Sequence, residues 1–141
     1  MKILICGLPG SGKSTLAKPL AELLGGVWIN ADEVRTKYND WDFTLEGRYR
    51  QAMRMRHLAD GVELAGKIAV ADFICPTETT RAYFGADYTV WMDTIKESDY
   101  TLTNKIFEPP LNCDYHVEKW FDDTDKQLMK VVMNYIQKGK Q

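Results

Sequence analysis

The chain has 141 residues, of which 45% are hydrophobic, and its formal net charge is -2. This length predicts one compact domain, residues 1–141, and excludes a second core. Because the net charge is small, the chain has no global attraction to nucleic acid or anionic membranes, and any anion must be bound by a local site.

The first predicted elements are a strand at Ile3–Cys6 and a helix that starts near Lys13, with a glycine-rich loop between them. The loop reads GLPGSGKST and has the spacing G-x-x-x-x-G-K-[ST] of a P-loop. Its glycines allow backbone conformations that turn consecutive N–H groups toward phosphate oxygens. The alternative interpretation of this segment is a glycine-rich turn that matches the P-loop spacing by chance. The residues expected to bind nucleotide are Gly7, Leu8, Pro9, Gly10, Ser11, Gly12, Lys13, Ser14 and Thr15.

Two side chains of this loop suit phosphoryl chemistry. Lys13 can reach the β and γ phosphates as a mobile point charge, and the Ser14 hydroxyl is placed to ligate Mg²⁺, which prefers oxygen ligands. The positive end of the helix dipole adds to the attraction for phosphate. The loop therefore predicts ATP and Mg²⁺ as cofactors.

The later strands alternate with helical patterns, which is typical of βαβ units. The further predicted strands are Val27–Asn30, Ile68–Phe73, Tyr88–Met92 and Tyr115–Glu118. This order predicts an α/β fold of the P-loop NTPase class that resembles nucleotide kinases. It has three layers, α/β/α, with helices on both faces of a mostly parallel five-stranded sheet.

Two longer helices are also predicted. The first runs from Leu45 to Ala65 and is ended by Gly66. Its buried face recurs at three- and four-residue steps: Ala52, Met55, Ala59 and Val62. The second runs from Asp123 to Lys138. Its apolar side is predicted to contain Leu128, Val131, Val132, Tyr135 and Ile136.

Cysteine usage and hydropathy restrict the location of the protein. Cys6, Cys75 and Cys113 are odd in number and show no C-x-x-C spacing, which argues against a disulfide framework or a zinc site. No apolar stretch approaches the roughly 20 residues of a membrane span. The N-terminus passes from Met1 and Lys2 into a strand pattern rather than a cleavable signal. We therefore expect a cytoplasmic protein with a small-molecule substrate and no membrane or nucleic-acid partner.

A P-loop occurs in GTPases, motors and kinases, so the class depends on the rest of the chain. The length leaves no room for the long switch regions of a GTPase, and the guanine-reading pattern N-K-x-D is absent. Acidic and arginine residues soon after the second strand suit a small-molecule kinase, in which the protein supplies positioning and charge.

Several residues after the second strand are candidates for binding the second substrate. Asp32 can hold a Mg²⁺-bound water or accept a proton from an attacking hydroxyl. Arg35 and Arg48 can clamp an anionic acceptor, and Phe43 offers a face for a purine. Each has a structural alternative: Asp32 as a helix cap, Arg48 on a solvated basic face, and Phe43 in the core.

Asp72 ends an apolar strand, as a Walker-B-type carboxylate does, and is our second choice for the acid near Mg²⁺. The histidines, His57 and His116, lie far from the P-loop in sequence. We expect both to be structural or exposed.

Several segments resemble the adenylylsulfate kinase family. The P-loop, NADEVR after the second strand and FTLEGRYRQ further on are similar to its motifs G-L-x-G-[SA]-G-K-[ST], D-G-D-x-x-R and F-S-x-x-D-R-x-x-N. The segments FICPT at Phe73–Thr77 and FEPP at Phe107–Pro110 resemble its F-I-S-P-Y and E-P-P. The resemblance covers most of the chain in the same order.

This resemblance implies transfer of the ATP γ-phosphoryl group to the 3′-hydroxyl of adenylylsulfate, a step of sulfate assimilation. It implies Lys13 and Asp32 as catalytic residues, and Ser14 with Asp32 as metal ligands. The substrate-binding residues that it implies are Asp32, Arg35, Phe43, Arg48, Gln51, Ile74, Cys75, Pro76 and Lys105.

The chain also departs from the family pattern. Asp, Asp, Ser and Tyr of the family are replaced by Asn30, Gly47, Cys75 and Thr77. The segment between Asp93 and Glu108 stands in place of a longer lid that bears Arg and Lys. No arginine follows Arg81, so the lid guanidinium is absent, and Lys96 or Lys105 is its candidate substitute.

Three functional hypotheses follow. The first is an adenylylsulfate kinase with a minimal lid, and the second is a kinase of the same build that acts on a nucleoside, a sugar or a polynucleotide end. The third is a module that binds ATP without transferring phosphate. The first two differ in whether Arg35, Phe43 and Arg48 converge on one anionic pocket. A homodimer, in which a second subunit supplies the missing arginine, is left open.

Overall fold

The computed structural model describes residues 1–120 and 123–139 as strands and helices in alternation. In chain order the elements are β1 Lys2–Gly7, α1 Lys13–Leu23, β2 Val27–Asn30, α2 Ala31–Tyr38, α3 Leu45–Leu64, β3 Ala69–Asp72, α4 Glu78–Phe84, β4 Tyr88–Met92, α5 Thr101–Ile106, β5 Tyr115–Val117 and α6 Thr124–Gly139.

The strands form one sheet in the order β2-β3-β1-β4-β5, and each neighbouring pair is parallel. Helices α1 and α6 cover one face, where Leu16, Leu20, Leu128 and Val132 are buried. Helices α2, α3 and α4 supply the buried residues of the other face. The predicted three-layer α/β/α P-loop fold is confirmed, and its sheet is parallel throughout the described residues.

The strand order places one edge of the sheet where a ligand can bind. The chain passes from β1 to β2 at one edge of the sheet and back to β3 beside β1, and then continues to β4 and β5 on the other side of β1. Such a reversal leaves a crevice at the carboxyl ends of the strands. The loop between β1 and α1 lies at this crevice, and so do Asn30 and Asp72, which end β2 and β3 and are paired in register.

Most predicted bounds agree with the structure. β2 and β4 have the predicted bounds, and α3 ends one residue before the predicted Ala65, with Gly66 following at a positive φ of 79°. The apolar side predicted for the last helix is partly wrong, because Val131 and Tyr135 are exposed. Tyr135 lies at the rim of the core, where its ring packs edge-on against Tyr88.

No helix in the described ranges is long and apolar enough to cross a membrane.

Candidate functional site

The loop between β1 and α1 has the backbone geometry that a phosphate cradle needs. Gly12 precedes α1 with φ 95°, a conformation that L side chains rarely adopt. Gly7 lies so close to β4 that an added Cβ would be 2.5 Å from the carbonyl oxygen of Met92. The glycines are therefore required by the path of the loop itself.

Lys13 is held at this loop by a hydrogen bond from Nζ to the carbonyl oxygen of Leu8, 2.9 Å away. Burial lowers the pKa of Lys13, and the negative charge of Asp72 opposes that shift. A bound anionic phosphate would compensate for the free-energy cost of desolvating the ammonium group, so this position favours an anion.

Asp72 joins the ends of three elements at the bottom of the crevice. It is 3% exposed and accepts hydrogen bonds from the Ser14 hydroxyl at 3.2 Å and from the Trp28 indole. The Asn30 amide donates to Ser14 Oγ at 3.1 Å. Burial raises the pKa of Asp72 in spite of these donors and the charge of Lys13. A carboxylate beside the P-loop hydroxyl is an oxygen donor set that fits Mg²⁺.

Asp32 lies in the first turn of α2, is exposed, and lines the same cleft. The cap of α2 is Asn30, whose side chain accepts from the Glu33 N–H at 3.0 Å. The alternative that Asp32 is the helix cap is therefore wrong. Asp32 faces the open cleft, whereas Asp72 rather than Asp32 contacts Ser14.

Arg35 and Arg48 are each only 5% exposed, and both stand against Phe43. The guanidinium carbons lie 4.3 Å and 5.4 Å from the centre of the Phe43 ring, respectively. Arg35 Nη1 donates to the carbonyl oxygens of Asp40 and Asp42, and Arg48 Nε donates to that of Phe43 at 2.8 Å. Two buried cations thus contact one aromatic ring.

These contacts reject two structural alternatives. Arg48 is buried and does not belong to a solvated basic face. Phe43 is 47% exposed and does not belong to the core. Gln51, which is also buried, donates from Nε2 to the carbonyl oxygen of Ala31 at 3.0 Å and ties α3 to the start of α2.

The loop from residue 39 to residue 44, which we call the 39–44 loop, is held by charged contacts from α3. Arg50 Nη2 donates to Asp42 at 2.8 Å, and Arg54 pairs with Asp40. Hydrogen bonds from Thr44 and Arg50 lower the pKa of Asp42 to about 2. The loop carbonyls that orient the buried arginines are therefore fixed in place.

Cys75 follows β3 with a φ of 44° and is buried. Burial raises the pKa of its thiol, so the thiol stays protonated at neutral pH. The turn at Ile74, Cys75 and Pro76 forms part of the cleft wall, and Thr77 caps α4 through the Thr80 N–H at 3.1 Å.

One cleft of about 420 Å³ is lined by residues predicted to bind nucleotide and by residues predicted to bind the second substrate. Its lining includes Pro9, Gly10, Gly12, Lys13, Ser14, Thr15, Asp32, Arg35, Phe43, Arg48, Gln51, Asp72, Ile74, Cys75 and Pro76. The predicted residues outside this lining are Gly7, Leu8, Ser11 and Lys105. The first three shape the P-loop, but Lys105 is exposed on α5, and the structure does not bring it to the cleft.

Two residues near the site were missed by the sequence analysis. Trp28 stands two residues before Asn30 on β2, and the two-residue period of a strand was a signal that both face Asp72. Thr103 of α5 accepts from Arg48 Nη2 at 2.9 Å across 55 residues, and no local pattern marks it. The predicted status of the histidines is confirmed, since His57 is exposed and His116 stacks on Trp91 outside the cleft.

Comparison with known proteins identifies similar sequences. A family model described as AAA domain matches residues 3–84. A chloroplastic adenylyl-sulfate kinase from Arabidopsis thaliana is 28% identical over 95% of this chain and 60% of its own length. A shikimate kinase from Corynebacterium glutamicum is 25% identical over 79% of this chain and 69% of its own length. The chain thus spans about two thirds of these relatives.

Comparison with solved structures supports the same fold. The structure of Mycobacterium tuberculosis APS kinase in complex with AMPPNP and APS superposes with a TM-score of 0.79. The superposition covers 94% of this chain and 96% of the APS kinase chain, at 19% sequence identity. At this identity, the likeness establishes the architecture.

Proposed function

The chain belongs to the AAA domain family and is a P-loop phosphotransferase of the kinase class, and on this premise we propose that its acceptor is a small anionic molecule with a hydroxyl group. The acceptor that the site residues favour is adenylylsulfate, phosphorylated by ATP at its 3′-hydroxyl. The observation that carries this proposal is the convergence of Arg35, Phe43 and Arg48 on the cleft that also contains Lys13.

The charge of the acceptor side supports an anion. The pKa of Arg48 is lowered first by burial and then by the positive charge of Arg35. No carboxylate in the described ranges forms an ion pair with Arg48. A buried cation without an anionic partner is costly, and a bound phosphate or sulfate group would supply that partner.

Phe43 supports a planar group in the acceptor. Its ring lies at the cleft and is half exposed, so one part meets the guanidinium groups while another part remains open to a ligand. An aromatic ring beside two anion-binding arginines suits a nucleotide, which has both a base and an acidic group.

The proposed reaction uses the residues in defined roles. The acceptor oxygen attacks the γ phosphorus, the bond from that phosphorus to the bridging β–γ oxygen breaks, and the hydroxyl proton passes to the Asp32 carboxylate. Lys13 and the N–H groups of the P-loop stabilise the charge on the phosphate oxygens. When bound, Mg²⁺ would neutralise charge between the β and γ phosphates, with Ser14 and Asp72 as the residues that hold it or its waters.

A second acceptor is favoured by one observation, the similarity to a shikimate kinase. Shikimate has ring hydroxyls and a carboxylate, and a guanidinium pair also suits a carboxylate. Shikimate has no purine that could stack on the exposed part of Phe43, and we therefore rank adenylylsulfate above it.

The remaining parts of the proposal concern the whole protein. We propose a single kinase domain over residues 1–141, a cytoplasmic location and a place in sulfate assimilation. A homodimer, in which a second subunit would supply the missing arginine, is the alternative to a monomer that this proposal leaves open.

The test is ATP turnover with Mg²⁺ in the presence and absence of adenylylsulfate, following the 3′-phosphorylated product directly. We expect product that depends on the acceptor, and a loss of about 100-fold or more in kcat for Lys13→Ala. Lys18→Ala, an exposed lysine on the same helix, is the matched control.

Two results would replace the proposed acceptor. Product from shikimate, a nucleoside, a sugar or a polynucleotide end, but not from adenylylsulfate, would reassign the acceptor within the kinase class. Tight ATP binding without product from any of these acceptors would favour the module that binds ATP without transfer.

A further inference from the structure

The side chain of Arg48 is held from two directions. Its Nε donates to the carbonyl oxygen of Phe43 at 2.8 Å, and its Nη2 donates to Thr103 Oγ1 at 2.9 Å. Both Arg48 and Thr103 are 5% exposed. A guanidinium group has five N–H donors in a rigid fork, so fixing two of its nitrogens fixes the direction of the remaining donors.

Thr103 reaches Arg48 because the segment from residue 94 to residue 108, which we call the α5 segment, is tied down at both ends. Near its start, Thr94 Oγ1 donates to the carbonyl oxygen of Ser11 in the P-loop at 2.7 Å. At its end, the Glu108 N–H donates to the carbonyl oxygen of Pro76 at 2.7 Å. The segment therefore crosses from the nucleotide loop to the wall of the cleft.

The interior of the α5 segment is ordered by its own side chains. Ser98 and Asn104 exchange hydrogen bonds, with the Ser98 hydroxyl 2.7 Å from Asn104 Oδ1 and the Asn104 amide 2.8 Å from the Ser98 carbonyl oxygen. Arg81 of α4 donates to the carbonyl oxygen of Glu108 and to that of Cys75. These contacts brace the short helix α5 against the wall of the cleft, with Thr103 on its buried side.

We propose that Thr103 is a positioning residue for Arg48, and that the α5 segment thereby supports the acceptor side of the cleft. The Thr103 hydroxyl fixes the Nη2 end of Arg48, so that the other edge of the guanidinium faces the anionic group of the acceptor. This inference rests on the proposed function in one respect, namely that an anionic acceptor binds beside Arg48.

The kinetic test compares three variants with the unaltered protein. Thr103→Val removes the hydroxyl and keeps the branched shape, Thr103→Ser keeps the hydroxyl, and Thr101→Val alters an exposed threonine on the same helix. For Thr103→Val we expect a rise of about three- to tenfold in the KM for adenylylsulfate, because the Arg48 side chain, no longer held by the hydroxyl, must be immobilised when the acceptor binds.

The same variant should leave the KM for ATP within about twofold of its original value, because the contacts of Arg48 are with Phe43 and Thr103 rather than with the P-loop. Thr103→Ser and Thr101→Val should match the unaltered protein. An unchanged KM for adenylylsulfate in Thr103→Val, an equal rise in both KM values, or a Thr103→Ser variant as impaired as Thr103→Val would each overturn the inference.

A second measurement does not depend on the acceptor. In the ligand-free protein, ¹⁵N NMR of arginine side chains should show the guanidinium of Arg48 as rotationally restricted, with its signal assigned by loss in Arg48→Lys. Restriction should be lost in Thr103→Val and kept in Thr103→Ser. If Thr103→Val keeps it, the inference fails even when adenylylsulfate is a substrate. If restriction is lost but adenylylsulfate is not phosphorylated, the proposed function fails and the positioning role stands.

Discussion

At the scale of single residues, the site is distinguished by charged groups whose pKa values are shifted toward the neutral form by burial. Lys13, Arg35 and Arg48 all have pKa values lowered by burial, and Asp72 has a pKa raised by burial. Such groups disfavour the free state of the cleft and are relieved by ligands of opposite charge. The two arginines and Lys13 therefore favour a pair of anionic substrates placed next to each other.

Arg48→Ala tests whether Arg48 binds the proposed acceptor rather than ATP. We expect the KM for the acceptor to rise by about 10- to 100-fold, in line with the loss of a charge-assisted hydrogen bond, while the KM for ATP changes little. Steady-state kinetics with each substrate varied in turn gives both values.

The matched control is Arg56→Ala, which removes a partly exposed arginine of α3 that pairs with Asp60. It should leave both KM values unchanged. An equal loss of affinity for ATP and acceptor in Arg48→Ala would assign Arg48 to the fold or the nucleotide site instead.

At the scale of elements, the acceptor side depends on the close packing of the 39–44 loop against the start of α3. A Cβ added to Gly47 would lie 2.1 Å from the carbonyl oxygen of Asp42. The carbonyl oxygens of the 39–44 loop accept hydrogen bonds from Arg35 and Arg48. This loop thus passes so close to residue 47 that only a glycine fits there. The resemblance marked Gly47 as a departure from the family, and the structure supplies a physical reason for it.

Gly47→Ala should push the 39–44 loop away from α3 and destabilise the protein by about 1–3 kcal/mol, as overpacked sites do. Gly61→Ala is the matched control in the same helix, because no atom of the described chain outside that helix approaches its Cβ position. It should stabilise the protein by about 0.5–1 kcal/mol through helix propensity. Denaturant unfolding measures both, and a neutral Gly47→Ala would contradict the packing argument.

The same loop should respond to acid. Hydrogen bonds from Thr44 and Arg50 lower the pKa of Asp42 to about 2, and contacts with Arg54, Asp42 and Arg50 hold that of Asp40 well below its usual value. A carboxyl group with a lowered pKa in the folded state stabilises it above the ordinary pKa near 4, and this contribution is lost as the pH falls through the folded value.

We therefore expect the free energy of unfolding to fall between about pH 4 and pH 2, and to fall less steeply in Asp42→Asn. Asp99→Asn, which alters an exposed carboxylate outside the loop, should keep the original slope. An unchanged slope in Asp42→Asn would show that the loop contacts do not contribute to stability.

At the scale of the whole molecule, the cleft joins elements from both sides of the sheet, so a bound nucleotide stabilises the complete fold. At a hundred times its Kd, AMPPNP with Mg²⁺ should raise the free energy of unfolding by about 2.7 kcal/mol. Thermal unfolding should show a large loss of this increment in Lys13→Ala and its full retention in Arg48→Ala. Retention in Lys13→Ala would contradict the assignment of the P-loop as the nucleotide site.

The sequence predicted those features that depend on local chemistry. The spacing of Gly7, Gly12 and Lys13 specified the loop, and alternating apolar runs specified β2 and β4 with their observed bounds. It did not predict the contact between Arg48 and Thr103, because that contact joins residues far apart in the chain. It also did not predict that Asp72, rather than Asp32, contacts Ser14, since the register that sets Asp72 beside Asn30 arises only when the sheet forms.

The indole of Trp28 has a practical consequence. Its N–H donates to Asp72, whose other oxygen accepts from Ser14 at the place proposed for Mg²⁺. Because indole emission responds to hydrogen bonding and to nearby charge, the protein has a built-in optical reporter at this site. With Trp41, Trp91 and Trp120 replaced by Phe, the fluorescence of Trp28 alone would follow the arrival of Mg²⁺ and nucleotide in real time, without a label.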